Sequence, residues 1–298
     1  MRTALLIADL EGVCGVDSLE ALAFGGEGHP EACALMTSEV NAAIEGLLAQ
    51  GFEQVRVSDS HRSGSGVPNL SPGQLHDAAE LRFTDHDYYG GRLLDGIEAV
   101  ACVGMHAAGG TKGFAAHTVA IHTAWLLDGR PISETELAYW LAADLGIPAI
   151  FSAGDDVLGA AASGLAAYLI TKKSTAIDVS KSKRGVLPKI RDAAAQTARA
   201  LKKAPQGVLS VRFKNQRQAD AAQTTGATRS SPWECAVSGS SFTERYFAAL
   251  EAVVASEPVV AEEVDGFPGT RRFAACGARL LMQPFPGAHR RTRKKKSV

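Results

Sequence analysis

The chain has 298 residues, which is long enough for one large domain or two moderate ones. Hydrophobic residues make up 46% of it and 30 residues are glycine, so the composition is that of a globular enzyme and excludes a disordered or fibrous chain. The formal net charge is −1 although residues 290–296 hold a basic cluster, and the acidic remainder argues against nucleic acid as a partner.

A short continuous apolar run at residues 3–8 predicts a buried strand, and two further strands are predicted at 54–58 and 98–104. The first strand leads into Asp9 and Glu11, the second into His61 and the third into His106. Apolar residues at helical spacing predict a helix over 36–50, between the first two strands. Because ligands bind beyond the carboxyl ends of the strands in open α/β sheets, we expect these side chains to border one site.

Two connecting segments follow these strands. Residues 62–73 are rich in Ser, Gly and Pro and predict a loop that can lie over a site. Residues 118–127 alternate loosely up to the turn at Asp128-Gly129, which predicts a hairpin arm returning over 130–132.

A capping-box pattern, Ser133 followed by Glu136, predicts a helix over 134–145. Glu134 then lies in the first helical turn, where a glutamate is also favoured by the helix dipole. The spacing alone leaves Glu134 and Glu136 equal as candidates for a further ligand.

The second half of the chain begins with an apolar strand over 149–153. Gly154-Asp155-Asp156 then predicts a turn into a helix that continues to about Leu169. A carboxylate in this turn is interpreted as a helix cap, with orientation of ligands as the alternative. After a polar stretch, the predicted elements are a helix over 186–201, a strand over 207–213, a region of low apolarity over 214–231 and a helix over 242–255.

These elements predict an α/β protein, a three-layer α/β/α arrangement with a largely parallel sheet and a smaller C-terminal α+β domain. We assign residues 1–184 to a metal-binding catalytic domain and 185–256 to the smaller domain. Residues 257–298 are expected to be an irregular basic tail, solvated rather than functional.

The cysteines and the N-terminal segment favour a cytoplasmic protein. The five cysteines are an odd number without a CxxC pair, so neither a disulfide framework nor a thiolate zinc site is expected. The first apolar run is too short for a signal peptide or a membrane span, and no membrane partner is expected.

Carboxylates and imidazoles at successive strand ends suggest a divalent metal site. Asp9, Glu11, His61 and His106 offer the oxygen and nitrogen donors that catalytic zinc sites use. Each residue alone has an ordinary explanation, such as a helix cap or a core histidine, but the combination favours a metal. His117 follows a glycine-rich loop and is a candidate general acid or base, because its unperturbed pKa lies near neutrality.

Taken together, these residues resemble the DppA-type D-aminopeptidase family, the self-compartmentalising metallopeptidases. The resemblance spans residues 1–256 and is carried by six segments in the family's order: ADLEGVCG (8–15), VSDSH (57–61), VGMHA (103–107), HT (117–118), RPISETEL (130–137) and IPAIFSAGDD (147–156).

The resemblance implies two zinc ions per subunit, with a ligand set carried over to Asp9, Glu11, His61, His106 and Glu134. It favours Glu134 over Glu136, makes Asp9 the bridging ligand and makes His117 the catalytic histidine. It further implies N-terminal D-residues such as D-alanine in short peptide substrates, and a ring-shaped homo-oligomer of the decameric type.

We therefore expect an aminopeptidase in which two metal ions activate a water molecule. The alternative enzyme is a binuclear hydrolase of another small substrate, an L-peptide, an amide or a phosphoester. A non-enzymatic alternative is an interaction protein that works through its basic tail.

Overall fold

The computed structural model describes residues 1–62, 67–82, 89–162, 164–264 and 285–286. The strands are β1 Thr3–Ala8, β2 Gln54–Asp59, β3 Ala79–Arg82, β4 Ala99–Met105, β5 Thr123–Leu127, β6 Arg130–Ile132, β7 Ala149–Asp155, β8 Ala167–Ser174, β9 Ser180–Ser182, β10 Leu209–Phe213, β11 Thr228–Ser231 and β12 Glu234–Val237. The α-helices are α1 His29–Ala49, α2 Glu134–Asp144, α3 Asp156–Ala162, α4 Val186–Ala194, α5 Gln216–Ala222 and α6 Phe242–Val264.

The larger sheet has seven strands in the order β3-β2-β1-β4-β7-β8-β9, and all of its pairings are parallel except that of β8 with β9. Side chains alternate across a strand, so β1 is apolar on both faces. Leu6 packs on the side of α1 and α4, whereas Ile7 packs on the side of α2. The predicted α/β class is confirmed.

A second sheet of five antiparallel strands runs in the order β11-β12-β10-β5-β6. The hairpin predicted around Asp128-Gly129 is present as β5 and β6, and β5 pairs with β10. This sheet therefore combines strands from both sides of residue 184, and the domain boundary placed there stays a prediction.

Four predictions of secondary structure were wrong. The helix after Gly154 ends at Ala162, and the strand β8 follows, because Tyr168, Ile170 and Thr171 suit a strand that pairs with β7. The helix predicted over 186–201 ends at Ala194.

The third error concerns the first helix, predicted over 36–50, because α1 begins at His29. The region of low apolarity over 214–231 contains α5 and β11. The fourth is the start of the irregular tail, because α6 continues through Val264. Beyond that residue only Phe285 and Pro286 are described, so the basic cluster at 290–296 lies outside the described residues, as do residues 63–66 of the predicted loop. None of the helices in the described ranges has the length and apolarity needed to cross a membrane.

Candidate metal centre

The six side chains singled out from the sequence meet at the carboxyl ends of the central strands: Asp9, Glu11, His61, His106, His117 and Glu134. Each of these side chains is at most 10% exposed to solvent. Donor atoms lie within 4.8 Å of one another in three overlapping groups: Asp9, Glu11 and His61; Asp9, His106 and Glu134; and Glu11, His106 and His117.

The backbone after β1 runs unusually close to the end of β4. Gly104 has a φ of 68°, and a Cβ atom there would lie 1.9 Å from the carbonyl oxygen of Asp9. Only glycine tolerates both the positive φ and this contact. The Asp9 carboxylate is oriented by the Leu10 backbone N–H at 2.8 Å and by the Ser60 hydroxyl at 3.1 Å.

His61 joins the two acidic residues that follow β1. Its Nδ1 lies 2.9 Å from Glu11 Oε2 and 3.6 Å from Asp9 Oδ1, and its Nε2 lies 2.6 Å from the carbonyl oxygen of Leu22. The carbonyl can only accept, so Nε2 carries a proton and Nδ1 faces the carboxylates.

His106 and His117 show the same division of their ring nitrogens. In His106, Nδ1 lies 3.0 Å from the carbonyl oxygen of Ala107, while Nε2 lies 3.8 Å from Asp9 Oδ2 and 3.4 Å from Glu134 Oε2. In His117, Nδ1 lies 2.8 Å from the carbonyl oxygen of Ala115, and Nε2 lies 3.8 Å from Glu134 Oε1. The two rings stack with centroids 4.4 Å apart. One nitrogen held by a carbonyl and the other left for a ligand is the usual arrangement of metal-binding histidines.

The structure separates the two glutamates that the sequence left equal. Glu136 Oε2 accepts hydrogen bonds from the Ser133 backbone N–H at 2.8 Å and the Ser133 hydroxyl at 3.0 Å, which completes the predicted capping box. Its other oxygen pairs with Arg130 at 2.8 Å. Glu134 instead turns toward His106 and accepts from the Val119 backbone N–H at 2.7 Å. Only Glu134 therefore belongs to the cluster.

Two atoms in the cluster are suited to bind a cation. His106 Nε2 and Glu134 Oε2 are buried and have no hydrogen-bond partner. Buried polar atoms are almost always paired, so an unpaired imidazole nitrogen beside an unpaired carboxylate oxygen calls for a bound group. Both atoms can donate an electron pair to a divalent metal, and their chemistry suits zinc.

The pKa values reflect the concentration of negative charge. Burial by itself would lower the pKa of His106, but the charge of Glu134, with smaller effects of Glu11 and Asp9, raises it to about 10. In the same way, Glu11 and Asp9 overcome burial and raise the pKa of His61 well above its usual range. For Asp9, burial would raise the pKa, but hydrogen bonds to His61 and Glu11 and the charges of both histidines hold it well below the ordinary value. Positive charge therefore stabilises the buried carboxylates, and a divalent cation can supply it.

Two residues around the cluster were not assigned a role from the sequence. Burial, together with the charges of Glu134 and Asp9, raises the pKa of the Tyr89 phenol well above its ordinary value. Lys172 is fully buried and donates to the carbonyl oxygen of Glu11 at 2.6 Å, and burial lowers its pKa to about 8. Neither position follows from a local pattern, because each residue meets the cluster only in the folded chain.

Asp155, interpreted from the sequence mainly as a helix cap, uses its two carboxylate oxygens for different contacts. One oxygen accepts from the Leu158 backbone N–H at 2.7 Å and so caps α3. The other accepts from the Ala107 backbone N–H at 2.9 Å and the Ser174 hydroxyl at 3.1 Å, which fixes the segment directly after His106.

The chain is similar to known proteins in sequence and in fold. The family model described as D-aminopeptidase matches residues 2–251. A curated D-aminopeptidase from Bacillus subtilis (strain 168) is 27% identical over 153 residues, which cover 50% of this chain and 54% of that protein. The matched region thus spans about half the length of this relative.

A solved structure has a similar fold over most of the chain. It is described as the Zn-dependent D-aminopeptidase DppA from Bacillus subtilis, a self-compartmentalizing protease. The TM-score is 0.75 at 23% sequence identity, and the match covers 86% of this chain and 98% of that structure. At this level of identity the likeness supports the fold.

Proposed function

This chain belongs to the D-aminopeptidase family, and on that premise we propose that it is a zinc-dependent aminopeptidase that releases N-terminal residues from short peptides. D-Alanine is the residue we expect it to release. One observation carries the proposal: three histidines each have one nitrogen held by a backbone carbonyl and the other turned toward buried carboxylates.

The proposed ligands of two zinc ions are Asp9, Glu11, His61, His106 and Glu134. Support comes from the unpaired nitrogen of His106 beside the unpaired oxygen of Glu134, and from the described zinc dependence of the structural relative. Asp9 is the proposed bridging ligand, since its two oxygens face different histidines, Oδ1 toward His61 and Oδ2 toward His106. Such a pair of ions lowers the pKa of water and polarises a carbonyl group.

His117 is the proposed group that moves a proton. Its Nδ1 is held by the carbonyl oxygen of Ala115, so Nε2 is the atom that can accept a proton and deliver it to the leaving amine. Nε2 lies at the edge of the carboxylate cluster, 3.8 Å from Glu134, and stacking on His106 holds the ring in place. His117, Glu11 and His106 also form one of the three groups whose donor atoms lie within 4.8 Å of one another. A role of His117 as a metal ligand is therefore the competing assignment.

Zinc binding and substrate choice test the proposal together. We expect chelator-treated protein to lose hydrolysis of D-alanyl dipeptides and to regain it when zinc is added, with two zinc ions per chain by metal analysis. A panel of matched D- and L-alanyl peptides, amides and phosphoesters measures the substrate class. Full activity of metal-free protein would refute the metal-dependent reaction, and hydrolysis of phosphoesters alone would replace the peptidase by another binuclear hydrolase.

The role of His117 is tested by the substitution His117→Ala. Turnover should fall by about 100-fold or more, as for loss of a general acid or base, while the metal content stays at two ions per chain. Loss of one ion from the variant would instead make His117 a ligand.

We extend the proposal to the assembly, because the structural relative is described as self-compartmentalizing. A ring-shaped homo-oligomer, decameric in the form expected from the sequence, would confine short peptides to an inner chamber. Light scattering on purified protein compares the mass in solution with the 31.2 kDa of one chain, and a monomer at assay concentration would exclude this arrangement.

A further inference from the structure

An irregularity in β8 turns two neighbouring side chains toward the segment that carries Glu11. In the pairing with β7, Gly154 lies opposite Ile170 and Asp155 lies opposite Lys172, so Thr171 is an extra residue. A bulge of this kind changes the direction of side chains and is common beside active sites. Thr171 and Lys172 are both fully buried, and both reach residues 11–16.

The ammonium group of Lys172 contacts the backbone of residues 11–16. It donates to the carbonyl oxygen of Glu11 at 2.6 Å and to that of Val16, and it lies 4.3 Å from the centre of the Phe114 ring. The closest carboxylate oxygen paired with it, Oδ1 of Asp17, is 3.9 Å away. The main partners of this buried charge are therefore backbone carbonyl groups rather than a carboxylate.

Thr171 holds the adjacent peptide group. Its hydroxyl lies 2.9 Å from the carbonyl oxygen of Gly12 and 3.0 Å from that of Gly154. Residues 10–16 form turns rather than a helix or strand, so contacts to their carbonyl groups determine where the segment lies. The Glu11 carboxylate projects from this segment toward His61.

We infer that Lys172 is a positioning residue for Glu11, which holds the Glu11 backbone so that its carboxylate can bind metal. This inference rests on the proposed zinc centre. The physical reason is that a ligand carboxylate contributes its full binding energy only if its backbone is already in place. Lys172 also places a positive charge near the Glu11 carboxylate.

The test compares zinc affinity with stability in three variants of the full chain. Lys172→Met removes the ammonium group and keeps most of the side-chain volume. Thr171→Val keeps Lys172 and removes the hydrogen bond to Gly12. Lys214→Met is the matched control, because Lys214 also lies over an aromatic ring, that of Phe285 at 3.7 Å, and burial also lowers its pKa.

Zinc affinity is measured by competition with a chromophoric chelator, and the visible spectrum of the Co²⁺-loaded protein reports the ligand geometry independently of activity. We expect Lys172→Met to weaken the binding of at least one ion by about 10–100-fold, the usual effect of losing a partner of a ligand, and to change the Co²⁺ spectrum. Thr171→Val should shift both measurements in the same direction but less, and Lys214→Met should leave both unchanged.

A Lys172→Met protein with wild-type zinc affinity and Co²⁺ spectrum would overturn the inference, even if its melting temperature fell, because Lys172 would then support only the fold. If Lys172→Met does not fold, Thr171→Val decides in the same way, and failure of both variants to fold would also overturn it. A wild-type protein that binds no zinc would refute the proposed function as well, so the two failures are distinguishable.

Discussion

Glu134 and Glu136 lie two residues apart in the first turn of α2, and the same substitution should weaken zinc binding at only one of the two positions. Glu134→Gln should weaken zinc binding by at least ~100-fold, because partners outside the ligand set are by themselves worth ~10–100-fold. The amide oxygen can still accept from the Val119 backbone N–H. In the metal-free protein the charge of Glu134 raises the pKa of the buried His106, so the variant should also be less stable than wild type.

Glu136→Gln should lower stability and leave zinc binding intact. The carboxylate accepts two buried hydrogen bonds from Ser133 and pairs with Arg130, whose side chain is 50% exposed. Weakening the cap costs about 1 kcal/mol, and a pair with one exposed partner adds at most ~1 kcal/mol. We therefore expect a total loss of about 1–2 kcal/mol in the free energy of unfolding.

The two variants are assayed side by side, by zinc competition titration and by urea unfolding of the metal-free proteins. The expected result is that Glu134→Gln loses zinc affinity, whereas Glu136→Gln keeps wild-type affinity and loses stability. Equal zinc affinity of the Glu134→Gln variant and wild type, or loss of zinc from the Glu136→Gln variant, would refute the assignment of Glu134 as the ligand.

Three further predictions concern the surroundings of the cluster. Burial raises the pKa of Glu39 from its ordinary 4.5 to about 7. Wild type should therefore lose about 3 kcal/mol in the free energy of unfolding as the pH rises through this interval, while Glu39→Gln should not. If the urea midpoints of the two proteins changed by the same amount between pH 5 and pH 8, this prediction would be contradicted. Asp155→Asn should cost about 1–3 kcal/mol in urea unfolding, because one carboxamide cannot accept from both Leu158 and Ala107, and an unchanged midpoint would argue against the double contact. Gly104→Ala should lower the melting temperature by more than Gly129→Ala does. Both glycines have a positive φ, but only at Gly104 would the Cβ atom meet a backbone oxygen. Equal decreases in melting temperature would show that the backbone at Gly104 moves to accommodate the Cβ atom without cost.

Much of the candidate site could be predicted because its signals are local. Asp9, His61 and His106 each follow a predicted strand, and parallel strands bring their carboxyl ends to one edge of the sheet. The start of α2 was equally readable, because a capping box involves residues only three apart. These features depend on the periodicity of short segments, which is present in the sequence itself.

The tertiary structure decided what depends on residues far apart in the chain. The spacing in the sequence left Glu134 and Glu136 as equal ligand candidates. The structure distinguishes them by the partners that each carboxylate contacts. Lys172 contacts Glu11 across 161 positions of the chain, and β5 pairs with β10 although the two strands are also far apart in sequence. No local pattern predicts either contact. The sequence by itself determined which residues could form a site at the strand ends. The partners of those residues were decided by long-range packing, because a side chain's surroundings are set by segments that meet only in the folded chain.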